Sequence, residues 1–390
     1  MTTAENPTFA DLGLADEIVA ALSARGITHP FPVQALTIPD ALAGRDVCGK
    51  AKTGSGKTLA FGLPVLQKMT KAAPSTPTGL VLVPTRELAN QVCDELAPAA
   101  EAVGRTALAI YGGAPIEKQI ETLKKGVDLV VATPGRMIDL IERKEISVAE
   151  VAHVIVDEAD RMADMGFLPQ VEWILRNVEA EHQTLLFSAT LDGVVNSLIR
   201  RYQTDPSMHE VAGEDVTVEA MTHRFVMVHR MDKSKVAASI ADSTGRTIMF
   251  TRTKAMADRL ADDLKDLGIK AAPIHGDLRQ TSREKSLRDF SEGKLNTLVA
   301  TDVAARGIHV DNVDIVIQYD PPGDHKTYLH RAGRTARAEQ EGLVVTLSMW
   351  DEELEIKRLQ KRIDVVMPIV EMFSNDPRLK NLADWDPESA

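Results

Sequence analysis

Short runs rich in Val, Ile and Leu recur along the chain, each bounded by turn residues and each leading into a stretch of helical pattern. The runs fall at residues 46–50, 79–84, 129–132, 151–156 and 183–187. A second series follows at 225–228, 246–250, 295–300, 313–318 and 343–347. Runs of this kind predict parallel strands buried on both faces. The amphipathic segments between them, such as 86–97 and 254–267, predict crossover helices. Strands alternating with helices predict an α/β architecture, with mainly parallel sheets flanked by helices.

The two series are separated by residues 203–221, an acidic stretch with Pro206, Gly213 and weak periodicity. It reads as a linker with a boundary near residue 213. At 390 residues, two or three domains are expected. We assign 1–210 to a first domain, 211–223 to the linker, 224–376 to a second domain and 377–390 to a tail. A charged helix at 351–363 is expected to finish the second domain, and the chain is expected to fray from about residue 375.

Composition narrows the function. The chain is 44% hydrophobic and 26% charged, as a folded globular protein is. A net charge of −12 excludes binding nucleic acid by bulk positive charge, though not by a local basic groove. At 4%, aromatics are too few for a broad base-stacking platform. The charge is uneven: residues 1–210 carry −8, 211–223 carry −3, 224–337 carry +5 and 338–390 carry −6. Cys48 and Cys93 cannot build a disulfide framework or a four-ligand zinc site, and read as small apolar residues. The first residues lack a basic and an apolar signal region, and no apolar run reaches membrane-spanning length. A cytoplasmic location without membrane contact is expected.

Candidate chemistry begins with Ala51-Lys52-Thr53-Gly54-Ser55-Gly56-Lys57-Thr58, which follows a predicted strand and opens a predicted helix. Ala51 stands where the general phosphate-loop spacing has its first Gly, but the Gly-Ser-Gly-Lys-Thr core is complete. Glycines let backbone N–H groups converge on phosphate oxygens, and the helix N-terminus favours their charge. Lys57 is placed to reach the β- and γ-phosphates, and the Thr58 hydroxyl to ligate Mg²⁺. A strand at 151–156 then runs into Asp157-Glu158-Ala159-Asp160. Acids at the C-terminal end of a parallel strand sit where open α/β sheets bind ligands. Asp157 is expected to hold Mg²⁺, and Glu158 to orient and activate the attacking water.

With these two motifs in order, the chain resembles the DEAD-box RNA helicases of helicase superfamily 2. The resemblance extends from Phe9 to Arg337. Upstream, Gly26-Ile27-Thr28-His29-Pro30-Phe31-Pro32-Val33-Gln34 is similar to the family's Q motif, with Phe9 as its isolated aromatic. Then come Pro84-Thr85-Arg86-Glu87-Leu88-Ala89, Gly112-Gly113, Thr133-Pro134-Gly135-Arg136 and Ser188-Ala189-Thr190. The second series carries Thr251-Arg252, Gln280-Thr281-Ser282-Arg283, a run from Ala300 to Gly307, and His330-Arg331-Ala332-Gly333-Arg334-Thr335-Ala336-Arg337.

The resemblance implies two tandem RecA-like domains and an RNA-stimulated ATPase. Such an enzyme couples Mg-ATP hydrolysis to local, non-processive unwinding or remodelling of RNA duplexes. An ATP-gated RNA clamp without productive unwinding, or a DNA-directed relative, would share these motifs. It implies ATP contacts at Phe9, Ile27, Gln34, Thr53, Gly54, Ser55, Gly56, Lys57, Thr58, Asp157, Gly307, His309, Arg334 and Arg337, Gln34 reading the adenine edge. Lys57, Glu158, Arg334 and Arg337 would be catalytic. The two arginines, three apart and expected on one helix face, resemble arginine fingers. Asp160, Ser188, Thr190 and His330 would couple nucleotide state to RNA affinity. RNA contacts would be Thr85, Arg86, Gly113, Thr133, Gly135, Arg136, Arg252, Gly276, Arg283, Thr301 and Asp302. These groups suit a sugar–phosphate track and carry little base information, so sequence-independent binding by a monomer is expected. Protein partners are not legible.

Two positions depart from the family pattern. Ile27 stands where an aromatic usually stacks on adenine, and gives up that ring contact unless Phe31 compensates. His309 replaces an Asp that accepts a ribose hydrogen bond, a task open to neutral His only.

Overall fold

The strand runs are continuous because each strand feeds two cores at once. In a computed structural model of the chain, which describes residues 7–51, 54–211, 221–302, 313–335 and 342–387, alternate residues of each inner strand point into different apolar clusters. Val81 lies on one face of the first sheet, with Leu80 and Leu82 on the other. Leu129 and Val131 oppose Val130 and Ala132 in the same way. The second sheet repeats the arrangement, with Met249 on one face and Ile248 and Phe250 on the other. All these side chains are buried, as expected where helices cover both faces of a parallel sheet.

The chain divides into two compact units, Met1–Gly213 and Glu214–Ala390. Strands β1 (Val47–Lys50), β2 (Gly79–Leu82), β3 (Ala107–Ile110), β4 (Leu129–Ala132), β5 (His153–Asp157), β6 (Gln183–Ser188) and β7 (Ser207–Glu210) form the first sheet, in the order β3-β4-β2-β5-β6-β1-β7. Its helices are α1 (Asp16–Ser23), α2 (Pro32–Leu42), α3 (Lys57–Lys68), α4 (Arg86–Ala102), α5 (Ile116–Leu123), α6 (Pro134–Glu142), α7 (Ala159–Asp164), α8 (Leu168–Leu175) and α9 (Gly193–Tyr202).

The second unit holds β8 (Met221–Met227), β9 (Thr247–Thr251), β10 (Ala271–Ile274), β11 (Thr297–Thr301), β12 (Ile315–Gln318), β13 (Gly342–Ser348) and β14 (Ile369–Glu371). Their order is β10-β11-β9-β12-β13-β8-β14. Adding seven to every strand number of the first sheet reproduces the second, so the two units share one topology. The paired strands of both sheets run parallel. Helices α10 (Lys233–Ser243), α11 (Lys254–Asp266), α12 (Gln280–Ser291), α13 (His325–Ala332) and α14 (Glu353–Arg362) complete the described part of the unit.

Two expectations need correction. Within the stretch read as linker, Ser207–Glu210 pairs with β1 as an edge strand, and Met221 already begins β8. The stretch expected to fray from about residue 375 packs instead, as far as it is described. Leu379 and Leu382 are buried in the second unit's core. The Arg224 guanidinium donates to the carbonyls of Leu382 (2.9 Å) and Ala383 (3.0 Å) and lies 5.9 Å from the Trp385 ring centre. An isolated aromatic near a chain end found an arginine and a greasy slot, which local composition does not announce. Among the described residues no helix is long and apolar enough to cross a membrane.

Candidate active site

The motif residues of the first unit gather along the C-terminal edge of its sheet, because parallel strands deliver their following loops to one side. Strands β1, β5 and β6, adjacent in the sheet, deliver the phosphate loop, Asp157-Glu158 and Ser188-Ala189-Thr190. Strands β2, β3 and β4 deliver Thr85-Arg86, Gly112-Gly113 and Thr133 to Arg136.

The phosphate loop ends in Gly56, the N-cap of α3, at φ +85°. A side chain is excluded there twice over. The backbone is left-handed, and a Cβ would sit 2.5 Å from Gln34 Nε2. Lys57 and Thr58 follow at the helix start and are 7% and 9% exposed. Lys57 Nζ lies 4.0 Å from Asp157 Oδ1, joining the phosphate loop to the end of β5. Burial pushes the Asp157 carboxyl up to about 6, with Lys57 pulling the other way. Burial also raises the Glu95 carboxyl of α4, with the neighbouring Thr58 hydroxyl pulling the other way. Glu95 went unremarked in the sequence, where it reads as one more solvated acid on an amphipathic helix. Mg²⁺ is characteristically held by one or two carboxylates together with substrate phosphates and water. A buried carboxylate that resists ionising alone and a threonine hydroxyl make up such a set of hard oxygen donors.

Glu158 is the N-cap of α7 and adopts φ 52°, ψ 49°. A non-glycine residue in that region costs on the order of 1 kcal/mol. Its N–H donates to Asp157 Oδ1 at 2.9 Å, and Oε2 pairs with Arg161 Nη1 at 2.7 Å. Asp160 closes the set: Oδ2 accepts from the N–H groups of Ala189 (3.2 Å) and Thr190 (3.0 Å), and the Asp160 N–H donates to Ser188 Oγ at 3.2 Å. The acids after β5 and the Ser-Ala-Thr turn after β6 are therefore mechanically linked.

Gln34 is 1% exposed and its amide is engaged. Nε2 donates to the Gly56 carbonyl (2.9 Å), and Oε1 accepts from the Phe31 N–H (2.8 Å). Each end of the amide retains one further hydrogen-bonding position for a base. Ile27 is half-buried against the first unit's core. Phe9, expected to touch the nucleotide, is 1% exposed and packs in that core.

Of the nucleic-acid candidates, Thr85 caps α4 by accepting from the Leu88 N–H, and Arg86 lies against Gly113, where a Cβ would meet its guanidinium at 2.4 Å. Arg136 donates to Gln119 Oε1 (3.0 Å) and the Ala114 carbonyl (3.3 Å). Gly113 and Gly135 are exposed and Thr133 half-buried. These residues converge on the turn after β3.

In the second unit, Arg252, Gly276 and the pair Thr301-Asp302 follow β9, β10 and β11, the corresponding three strands, and Arg283 lies on α12. Asp302 is not presented as an open acceptor. Arg331 of α13 grips it with two bonds, Nε to Oδ1 (2.6 Å) and Nη2 to Oδ2 (2.8 Å). Arg331 also donates to Gln318 Oε1 (2.7 Å) and the Asp320 carbonyl (2.8 Å). His330 is exposed, one residue before. Arg334 is not on a helix: α13 ends at Ala332, and the Thr335 hydroxyl donates to the Val313 and Asp314 carbonyls, drawing the chain aside. Thr53, Gly307, His309 and Arg337 lie outside the described residues.

The family models fit this arrangement. Residues 31–198 match the DEAD/DEAH box helicase model and residues 232–339 the helicase conserved C-terminal domain. The chain is 40% identical over 356 residues to the DEAD-box ATP-dependent RNA helicase CshA of Bacillus subtilis, covering 91% of this chain and 72% of that protein. The chain belongs to the DEAD-box helicase family. It is 39% identical over 364 residues to the mitochondrial DEAD-box ATP-dependent RNA helicase 9 of Arabidopsis thaliana, and spans only 59% of that relative's length. Its structure is similar to S. cerevisiae Dbp5 bound to RNA and ADP BeF3 (TM-score 0.80, 27% identity, 96% of this chain and 98% of that one). These likenesses carry the RecA-like assignment of both units.

The Asp157 environment makes a stability prediction. A carboxyl whose folded value is raised stabilises fully below the ordinary carboxylate range and loses that contribution as pH rises towards 6. In Mg²⁺-free protein, Asp157→Asn should therefore stabilise the first unit at pH 7, by on the order of 2 kcal/mol, with little gain at pH 4. Urea unfolding at the two pH values checks this; equal effects at both would count against a strained carboxylate.

Proposed function

We propose that the chain is an ATP-dependent RNA helicase that couples Mg-ATP hydrolysis to local, non-processive opening of short RNA duplexes. The observation that supports it most directly is the linked set Lys57–Asp157–Glu158–Asp160–Ser188/Thr190 on one sheet edge, beside the Arg86 and Arg136 group. Lys57 and the loop backbone hold the β- and γ-phosphates. Glu158 orients the attacking water and takes its proton. Asp157 and Thr58 would hold a magnesium ion, which would supply charge neutralisation on the phosphates. Asp160, bonded to the turn after β6, passes the state of the acids to that turn. Arg334 and Arg337 stabilise charge on the transferring phosphate. Thr85, Arg86, Gly113, Thr133, Gly135, Arg136, Arg252, Gly276, Arg283 and Thr301 track the RNA backbone, while Asp302 acts through Arg331. A monomer working in the cytoplasm completes the proposal.

Comparison of RNA and DNA as stimulants of ATP turnover tests it, with displacement of a short RNA duplex as a second readout. RNA should stimulate where DNA of the same sequence does not, and displacement should require ATP. Equal stimulation by DNA would point to a DNA-directed enzyme. RNA-stimulated turnover without displacement would favour a clamp.

A further inference from the structure

Phe31 occupies a position that makes little sense for folding alone. It is 58% exposed, although a large aromatic ring gains most from burial. It is the N-cap of α2, where Ser, Thr, Asp or Asn would accept a bond from the helix's open N–H groups, and its side chain makes no such bond. Both choices cost stability. The ring is nevertheless held firmly. Pro30 and Pro32 restrict the backbone on either side, and the Phe31 N–H is tied to Gln34 Oε1 at 2.8 Å. Its edge rests on the phosphate loop, since a Cβ on Gly56 would lie 2.6 Å from Phe31 Cδ2.

We propose that Phe31 is the stacking platform for the adenine base, supplying the apolar face beside the Gln34 amide. The proposal rests on the nucleotide reading of the phosphate loop. A nucleotide whose phosphates occupy the start of α3 must lay its sugar and base along a flank of the loop. Gln34 and Phe31 are the side chains that a Cβ on Gly56 would meet first. Gln34 offers one free hydrogen and one free lone pair for a base edge, while the ring offers a face. Ile27, half-buried against the core, offers a branched aliphatic surface and no ring. Stacking tolerates any base, so Gln34 supplies selectivity and Phe31 affinity.

Titration calorimetry of the full chain with Mg-ADP and with inorganic tripolyphosphate tests this, using Phe31→Thr and Phe31→Tyr. Phe31→Thr should weaken ADP binding roughly tenfold and leave tripolyphosphate binding unchanged. Its melting temperature should hold or rise, because Thr restores the helix cap. Phe31→Tyr, which keeps the ring, should bind ADP as the parent does. Wild-type ADP affinity in Phe31→Thr, or an equal loss for both ligands, would overturn the stacking role. A parent protein that binds no ADP would instead overturn the nucleotide site itself.

Discussion

Glu158→Gln should bind ATP and RNA as the parent does while its turnover falls by about 10²–10⁴-fold, the usual contribution of a positioned general base. The substitution preserves shape. Glutamine keeps an acceptor oxygen for Arg161, now 2.7 Å from Glu158 Oε2, and the φ of 52° that the backbone already tolerates. What it loses is the capacity to take a proton. Glu158 is 4% exposed, so bulk water cannot readily substitute as the base. Asp157, the neighbouring carboxylate, faces Lys57 of the phosphate loop at 4.0 Å. Single-turnover measurement of phosphate release, with nucleotide affinity measured separately, checks the prediction. Turnover within a few-fold of the parent would remove Glu158 from the mechanism. Weakened ATP binding would assign it a positioning role instead.

The inner strands were legible because burial on both faces leaves a continuous apolar run. The four unforeseen strands, β3, β7, β10 and β14, are the edge strands of the two sheets. Each is paired on one side only and partly exposed, so its residues need not be uniformly apolar. Ser207–Glu210 looks like linker for that reason. The motif residues were legible as chemistry because glycines, acids and arginines at set spacings are rare by chance. Their surroundings were not. Nothing local says that Phe9 is swallowed by the core, that Gln34 is tied to Gly56, or that Thr58 neighbours Glu95. The helix expected to carry Arg334 stops at Ala332, where the chain is diverted by Thr335 bonding to carbonyls about 20 residues back. Such contacts are long-range, and periodicity sees only neighbours.

Arg331 is the strongest case of a residue hidden by its neighbours, and it carries the second prediction. It sits between His330 and Arg334 in a motif whose exposed members draw attention, yet it is 4% exposed itself. Its guanidinium ties together the ends of β11 and β12 through Asp302, Gln318 and the Asp320 carbonyl, and lies 5.0 Å from the Phe250 ring centre at the end of β9. Asp320 in turn accepts from the Arg252 N–H (2.9 Å) and pairs with Lys233 (3.4 Å). Arg331→Met would fill most of the space and leave Asp302, Gln318 and a backbone carbonyl without their donor. Breaking such a pair typically costs about 3–5 kcal/mol. Asp302 is 31% exposed and water can reach it, so we expect the low end, about 3 kcal/mol. The two units give the measurement its own control. In denaturant titration only the second unit's transition should move, while that of the first stays put. Adding Asp302→Asn should recover part of the loss, since an unpaired amide is cheaper to bury than an unpaired carboxylate. A shift below 1 kcal/mol, or no recovery in the double variant, would show that the strand ends do not depend on this arginine. If they do, the loops carrying Arg252, Thr301 and Asp302 owe their positions to one buried side chain.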